Sequence, residues 1–164
     1  MVTLSGKGLT RRALLAAACA AAGGALPAFA AQGMRLAAVD WAMAETAMAL
    51  GHAPVALAEL IAFRGAAVAQ PPRATVDLGL RGAPNLEALS LVAPDLILSS
   101  SYYSAIEPRL ARIAPVFTRA LYLPGEPAFP KVMALLGDLA GRLGDAAAGT
   151  RVQAAAAAEF AMLA

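Results

Sequence analysis

Cysteine and histidine are all but missing from this chain of 164 residues, which has one of each, Cys19 and His52. Cys19 lies in an N-terminal leader whose anatomy marks it for removal, so the mature chain has no thiol or disulfide chemistry. A single histidine with no cysteine beside it offers no ligand set for a zinc or manganese cage. The usual markers of catalysis are missing too: there is no Gly-x-Ser-x-Gly elbow, no Cys/His pair and no Gly-rich phosphate loop. The run Ser99-Ser100-Ser101 has no base near it in sequence, so acid–base work has little to draw on. These absences argue against an enzyme. Excess positive charge is also lacking. The formal charge is +2, but without the first 30 residues (Lys7, Arg11, Arg12) the 13 basic residues become 10 against 11 acidic ones, a net of −1. A near-neutral chain makes no electrostatic case for nucleic acid. No apolar run is long enough to cross a membrane. The alanine-rich stretch after Arg12 is interrupted by Gly23, Gly24 and Pro27, short of the ~20 residues a span needs.

What is present begins with an address. Arg11-Arg12 precede Ala13-Leu14-Leu15 and an alanine run to Ala22, and Ala28-Phe29-Ala30 has the small-x-small form that signal peptidase accepts. A basic start, an apolar middle and that ending make residues 1–30 a secretory signal cut after Ala30. The paired arginines suggest the twin-arginine route, and the mature protein is expected outside the cytoplasm, in the periplasm. Lipid attachment at Cys19 is the alternative, although Ala16-Ala17-Ala18 lacks the larger aliphatic residue usual before such a cysteine. With 60% hydrophobic residues the remainder can bury one core.

The stretch from Thr75 to Ser101 organises that core. Val76, Leu78 and Leu80 alternate with Asp77 and Gly79, the period of a strand with one buried face. Gly82 and Pro84 break it, Asn85 caps a helix bearing Leu86, Leu89 and Val92, and Pro94 ends that helix. Leu96-Ile97-Leu98 then reads as a buried strand. A strand, a helix and a strand make a βαβ unit, so the expected class is α/β with a parallel, Rossmann-like sheet. Ligands gather beyond the carboxyl ends of such strands, where Arg81 and the Ser99 to Tyr103 segment are expected.

The rest of the chain fits around that unit. Arg35 to Asp40 is a first strand, Trp41 to Leu50 a helix closed by Gly51, and Pro54 to Leu57 a second strand. Glu59 to Arg73, with Gly65 and Pro71-Pro72, reads as a loop. Glu107 to Ala114 is a helical turn or two, and Val116-Phe117 begins a strand. Pro124 to Pro130 is a turn-rich connection ahead of an amphipathic helix over Lys131 to Leu143. Gly144 stops it, Asp145 caps the next helix, and Ala146 to Ala164 is alanine-rich and helical.

The order RLAAVDWAMAETAMALG, then VDLGLRGAPNLEALSLVAPDLILSS, resembles the periplasmic binding proteins of iron–siderophore importers. Within them it is most similar to the ferric-hydroxamate-binding type, on Asp77 to Arg81, Pro84 to Leu89, Pro94 to Ile97, Tyr103 and Leu110 to Pro115. The resemblance spans residues 35–163. It implies a class III protein of two α/β lobes joined by one long helix, with residues 31–143 as the N-terminal ligand-binding lobe and 144–164 as the start of the joining helix. The second lobe is expected to be absent, either because the chain is a fragment or because the gene is truncated. The implied role is an extracytoplasmic substrate-binding component of an ABC importer. It would capture ferric siderophore for a permease of the inner membrane, with no cofactor and no direct metal ligand.

The resemblance also implies residue roles. Arg81 would donate to the oxygens around ferric iron, which suits a planar fork of donors; the plain alternative is a solvated arginine. Tyr103 would pack on the chelate and donate a hydrogen bond, with Tyr102 expected to point elsewhere yet kept as a second candidate. Trp41 would line the cleft or else anchor the core. The family's aromatic before the Pro-Pro pair has only Phe63 to match it, which leaves the ligand class open. Glu107 is the counterpart of a permease-contacting glutamate, or simply a helix-start carboxylate. A catecholate siderophore, haem or cobalamin could replace the hydroxamate, and a non-binding remnant is the remaining alternative.

Overall fold

The structure, a computed structural model, describes residues 33–163. The expected signal peptide, its cleavage after Ala30 and the alternative at Cys19 lie outside the described residues. Strand β1 (Leu36–Ala38) leads into helix α1 (Trp41–Ala49), followed by β2 (Ala56–Leu57), α2 (Leu60–Ala66) and β3 (Val76–Asp77). A small hairpin, β4 (Gly79–Leu80) with β5 (Ala83–Pro84), precedes α3 (Leu86–Leu91) and β6 (Leu96–Ser100). A 3-10 segment (Ser101–Ile106) runs into α4 (Glu107–Leu110), then β7 (Val116–Arg119), α5 (Ala128–Leu143) and α6 (Ala146–Leu163).

The sheet has the order β3-β2-β1-β6-β7, and every pairing in it is parallel. Alternation within the strands assigns the two faces. Leu36, Ala38, Leu96 and Leu98 turn to one side, into a cluster with Met43 and Ala47 of α1, Leu50 at its C-cap, Phe63 of α2 and Leu135, Leu136 and Leu139 of α5. Ala37, Val39 and Ile97 turn to the other, against Leu78, Leu89, Tyr103 and Leu110. Both faces are covered, which is why the strands read as continuous apolar runs. β2 follows β1 to one side while β6 lies on β1's other side. The strand order therefore reverses between β1 and β6, the place where ligands bind in open α/β sheets.

The helix ends follow local chemistry. The Asp40 side chain accepts from Met43 N–H at 3.1 Å and starts α1; Asn85 accepts from Ala88 N–H at 3.0 Å and starts α3; Asp145 does the same for Ala148 N–H at 3.0 Å in α6. Gly144, with φ +73, closes α5 in the left-handed cap that glycine takes at little cost. His52 Nε2 lies 3.3 Å from Asp145 Oδ2, so the lone histidine ties the end of α1 to the start of α6.

Four expectations require correction. Residues 59–73 are not all loop, because Leu60 and Phe63 are buried and form α2. Two turns with Ile61 exposed are too short to show a stripe, and one end is held from afar by Asp77 Oδ1, which accepts from Leu60 N–H at 3.3 Å. Val76, Leu78 and Leu80 do not share one buried face: Leu78 is buried while Val76 and Leu80 are exposed. Gly79 takes φ +71 and its N–H donates to Asp77 Oδ1 at 2.9 Å, which turns the chain out of the sheet into the hairpin. The break therefore comes at Gly79, and Ala83–Pro84 pair with β4 rather than ending a strand. The strands on either side of α3 are not neighbours, since β2 and β1 lie between β3 and β6. Finally, α5 begins at Ala128 rather than Lys131, because a proline in the first turn, here Pro130, gives up an N–H that has no helical partner anyway.

Candidate ligand-binding site

At the carboxyl ends of β1 and β6 the surface opens into a cavity of about 430 Å³, lined by Asp40, Arg81, Tyr102, Tyr103 and Tyr122. The topology brings these residues together from four places. Asp40 is the residue that caps α1 after β1, Tyr102 and Tyr103 follow β6, Tyr122 follows β7, and Arg81 sits in the β4–β5 hairpin.

Asp40 is 1% exposed and forms the floor. One of its carboxylate oxygens takes the α1 cap bond, and the other accepts from Ser100 Oγ at 2.8 Å. The serine run thus supports an acid in place and does not form a nucleophile. Arg81 is the basic residue among those lining the cavity. Its Nε donates to Glu59 Oε2 at 2.8 Å, and its guanidinium lies 4.4 Å above the centre of the Trp41 ring. A guanidinium stacked on an indole face is held by cation–π attraction as well as by the ion pair.

Tyr103 is 9% exposed and meets Tyr102, 76% exposed, edge to face at 5.2 Å. Both border the cavity, so Tyr102 does not point elsewhere as expected. Burial pushes the Tyr103 hydroxyl above its ordinary value, against the opposing pull of Arg81. Trp41 is not on the cavity wall. It packs edge to face on buried Phe63 at 5.4 Å and donates Nε1–H to Ala58 O at 3.0 Å, so both aromatics stand behind Arg81. Glu107 is half-buried, with Oε2 accepting from Thr118 Oγ1 at 3.0 Å.

Sequence reasoning missed Asp40, Glu59 and Tyr122. Asp40 was read as the end of the first strand; an aspartate directly before a helix is a cap signal, but nothing local marks its place at the sheet's reversal. Glu59 is an acid in a stretch read as loop, and Tyr122 stands between β7 and the turn-rich connection, with no periodic signal. Tyr122 is 54% exposed as a residue, yet desolvation of its hydroxyl first, and the neighbouring Asp40 carboxylate second, push that group up to about 12. A raised phenol stabilises the fold fully below its ordinary value of 10.0 and loses that contribution as pH climbs toward about 12. In an alkaline titration followed by tyrosinate absorbance, Tyr122→Phe should remove the step at highest pH, and Asp40→Asn should move that step down. A single step near the ordinary value in the unaltered protein would contradict this arrangement.

A family model described as periplasmic binding protein matches residues 36–163. The chain belongs to the periplasmic binding protein family. It is 39% identical over 83 residues to the iron(3+)-hydroxamate-binding protein FhuD of Escherichia coli strain K12, across 49% of this chain and 28% of that one. The crystal structure of the siderophore-binding protein FhuD of Vibrio cholerae, with Fe3+-Desferal bound, superposes with a TM-score of 0.74 at 29% identity, over 80% of this chain and 50% of that one. Staphylococcus aureus SirA complexed with staphyloferrin B gives 0.55 at 22% identity, over 73% and 39%, which shows the fold alone. The chain thus spans between about a quarter and a half of the length of these relatives. The two FhuD relatives are named for what they bind, iron(3+)-hydroxamate in the first and siderophore in the second. Its parallel α/β sheet is that of a class III periplasmic binding protein lobe.

Proposed function

We propose that this chain is part of the extracytoplasmic substrate-binding component of an ABC importer, and that it takes up ferric siderophore of the hydroxamate type. The observation that carries the reading is Arg81 on the cavity wall beside Tyr103, at the point where the strand order reverses. A guanidinium and phenols set side by side suit a compact shell of chelate oxygens, which accept hydrogen bonds without needing a metal ligand from the protein. The similarity to two iron–hydroxamate or siderophore-binding relatives supports the same ligand class.

Charge favours hydroxamate over catecholate. The wall presents one arginine and one aspartate, with three uncharged phenols. A ferric tris-hydroxamate core is uncharged, whereas a tris-catecholate core is a trianion and would face Asp40 with little to offset it. Tyr103, Tyr102 and Arg81 then contact ligand, Trp41 supports Arg81 from behind, and Glu107 on the neighbouring segment is a contact for the inner-membrane permease. Periplasmic location, export by a signal peptide ending at Ala30 and residues 144–164 as the start of a joining helix belong to the same reading.

The test is a titration of Trp41 emission, the signal of the chain's single tryptophan, with a ferric tris-hydroxamate and, separately, a ferric tris-catecholate. Saturable quenching by the first and far weaker quenching by the second is the expected result. A folded protein whose emission responds to neither would overturn the proposal, and preference for the catecholate would overturn its hydroxamate part.

A further inference from the structure

Glu59 is off the cavity wall, yet it is built into the site more firmly than its place in sequence suggests. Its carboxylate engages Arg81 twice. Oε2 accepts from Arg81 Nε at 2.8 Å, and Oε1 accepts from the Arg81 backbone N–H at 3.3 Å. Its own backbone is left-handed, φ 52 and ψ 43, a conformation costly for a residue with a Cβ and one that clusters where function demands it. The Glu59 N–H donates to Gly79 O at 2.6 Å, so the start of α2 is bonded directly to the hairpin that carries Arg81. Glu59 takes the Nε edge of the guanidinium, and the Trp41 ring lies under it, 4.4 Å from ring centre to guanidinium carbon. Among the described residues the guanidinium has no other hydrogen-bond partner, which leaves its terminal amino groups for the cavity that Arg81 lines.

We propose that Glu59 is a positioning residue. It clamps Arg81 flat on Trp41 and offsets the arginine's charge, so that the site takes neutral or cationic ferric chelates and rejects anionic ones. The inference rests on the reading of the cavity as a chelate site. With Glu59 ionised, Glu59, Arg81 and Asp40 sum to one negative charge. With Glu59 removed, they sum to zero. The Arg81–Glu59 pair is about one-third to one-quarter exposed, where charges act more strongly than in open water and a ligand's net charge is felt.

Three ferric complexes of one chelator isolate that effect. Ferric desferrioxamine B carries one positive charge on its free amine, its N-acetyl derivative is neutral, and its N-succinyl derivative is negative. The hydroxamate shell around iron is the same in all three. The unaltered chain should bind the anionic form most weakly. In Glu59→Gln, an isosteric change, the discrimination against the anionic form should shrink by roughly fivefold to tenfold. Glu59→Asp keeps the charge and should keep the discrimination while weakening all three complexes. Trp41 emission supplies a reading that needs no ligand: Glu59→Gln should shift it toward the value seen in Arg81→Ala, because both lift the cation from the ring.

Unchanged emission in Glu59→Gln would overturn the clamp. An equal loss of affinity for all three complexes would overturn the charge-setting role, since a purely structural residue would produce that pattern. If the unaltered chain bound none of the three, the functional reading would fall, and the emission comparison would still decide the clamp.

Discussion

Replacing Arg81 by alanine is expected to weaken binding of a ferric tris-hydroxamate by roughly 10- to 100-fold, equivalent to about 1.5–3 kcal/mol for hydrogen bonds from a charged donor. Three losses combine. The chelate oxygens lose a planar set of donors, the Glu59 carboxylate is left half-buried without its partner, and the Trp41 face is uncovered. Arg81→Lys separates charge from shape. A lysine keeps the charge but neither the fork nor the flat stack on the indole, so it should recover only part of the affinity. Because Arg81 sits on Trp41, emission changes even without ligand. Equilibrium dialysis, read by the colour of the ferric complex, is therefore the cleaner measurement. An affinity unchanged in Arg81→Ala would remove Arg81 from the site, and full recovery in Arg81→Lys would mean that only charge matters there.

Phe63→Ala is expected to cost about 3–5 kcal/mol, the range for deleting a buried aromatic side chain. Phe63 is 0% exposed and belongs to the same core cluster as Met43, Leu50 and Leu57. Domains of ordinary stability have only about 5–15 kcal/mol in total, so this one change should lower the urea midpoint sharply. The effect should also reach the site. Trp41 rests edge to face on Phe63, and Arg81 rests on Trp41. Loss of the phenyl ring should therefore loosen the guanidinium even where the protein still folds. Phe63→Leu fills most of the volume and should cost less than half as much, because well-chosen apolar swaps stay below about 1.5 kcal/mol. Equal midpoints for the unaltered protein and Phe63→Ala would show that Phe63 is not the anchor described here.

Much of the site was legible as chemistry but not as arrangement. Arg81, Tyr102 and Tyr103 were readable because they flank an apolar strand and a turn, and both tyrosines reach the cavity. Only the assignment of Tyr102 to another direction failed. Consecutive residues of a regular strand point to opposite faces, but Tyr102 and Tyr103 lie in a 3-10 segment, where successive side chains fan out. Trp41 was read as lining the cleft or anchoring the core. It does the second, and through Arg81 it shapes the first. Asp40, Glu59 and Tyr122 stayed hidden because each acts across long sequence distances. Asp40 meets Ser100 60 positions away, and Glu59 meets Arg81 22 positions away.

The amino-acid sequence by itself determined the elements whose signals are local. Short apolar runs became β1 and β6, apolar stripes became α3 and α5, and Asn85, Gly144 and Asp145 became caps because a cap needs only its own few neighbours. It also determined the class of protein, since the short segments around Arg81 and Tyr103 are specific in their residue types. Tertiary structure alone decided which strands are neighbours, that α2 exists, and that Asp40, Arg81 and Tyr122 share one cavity. The physical reason is the range of the forces involved. Caps and periodic burial are settled within a turn or two. Strand order, a left-handed glutamate and a stacked guanidinium are settled only when the whole sheet closes and every buried polar group must find its partner.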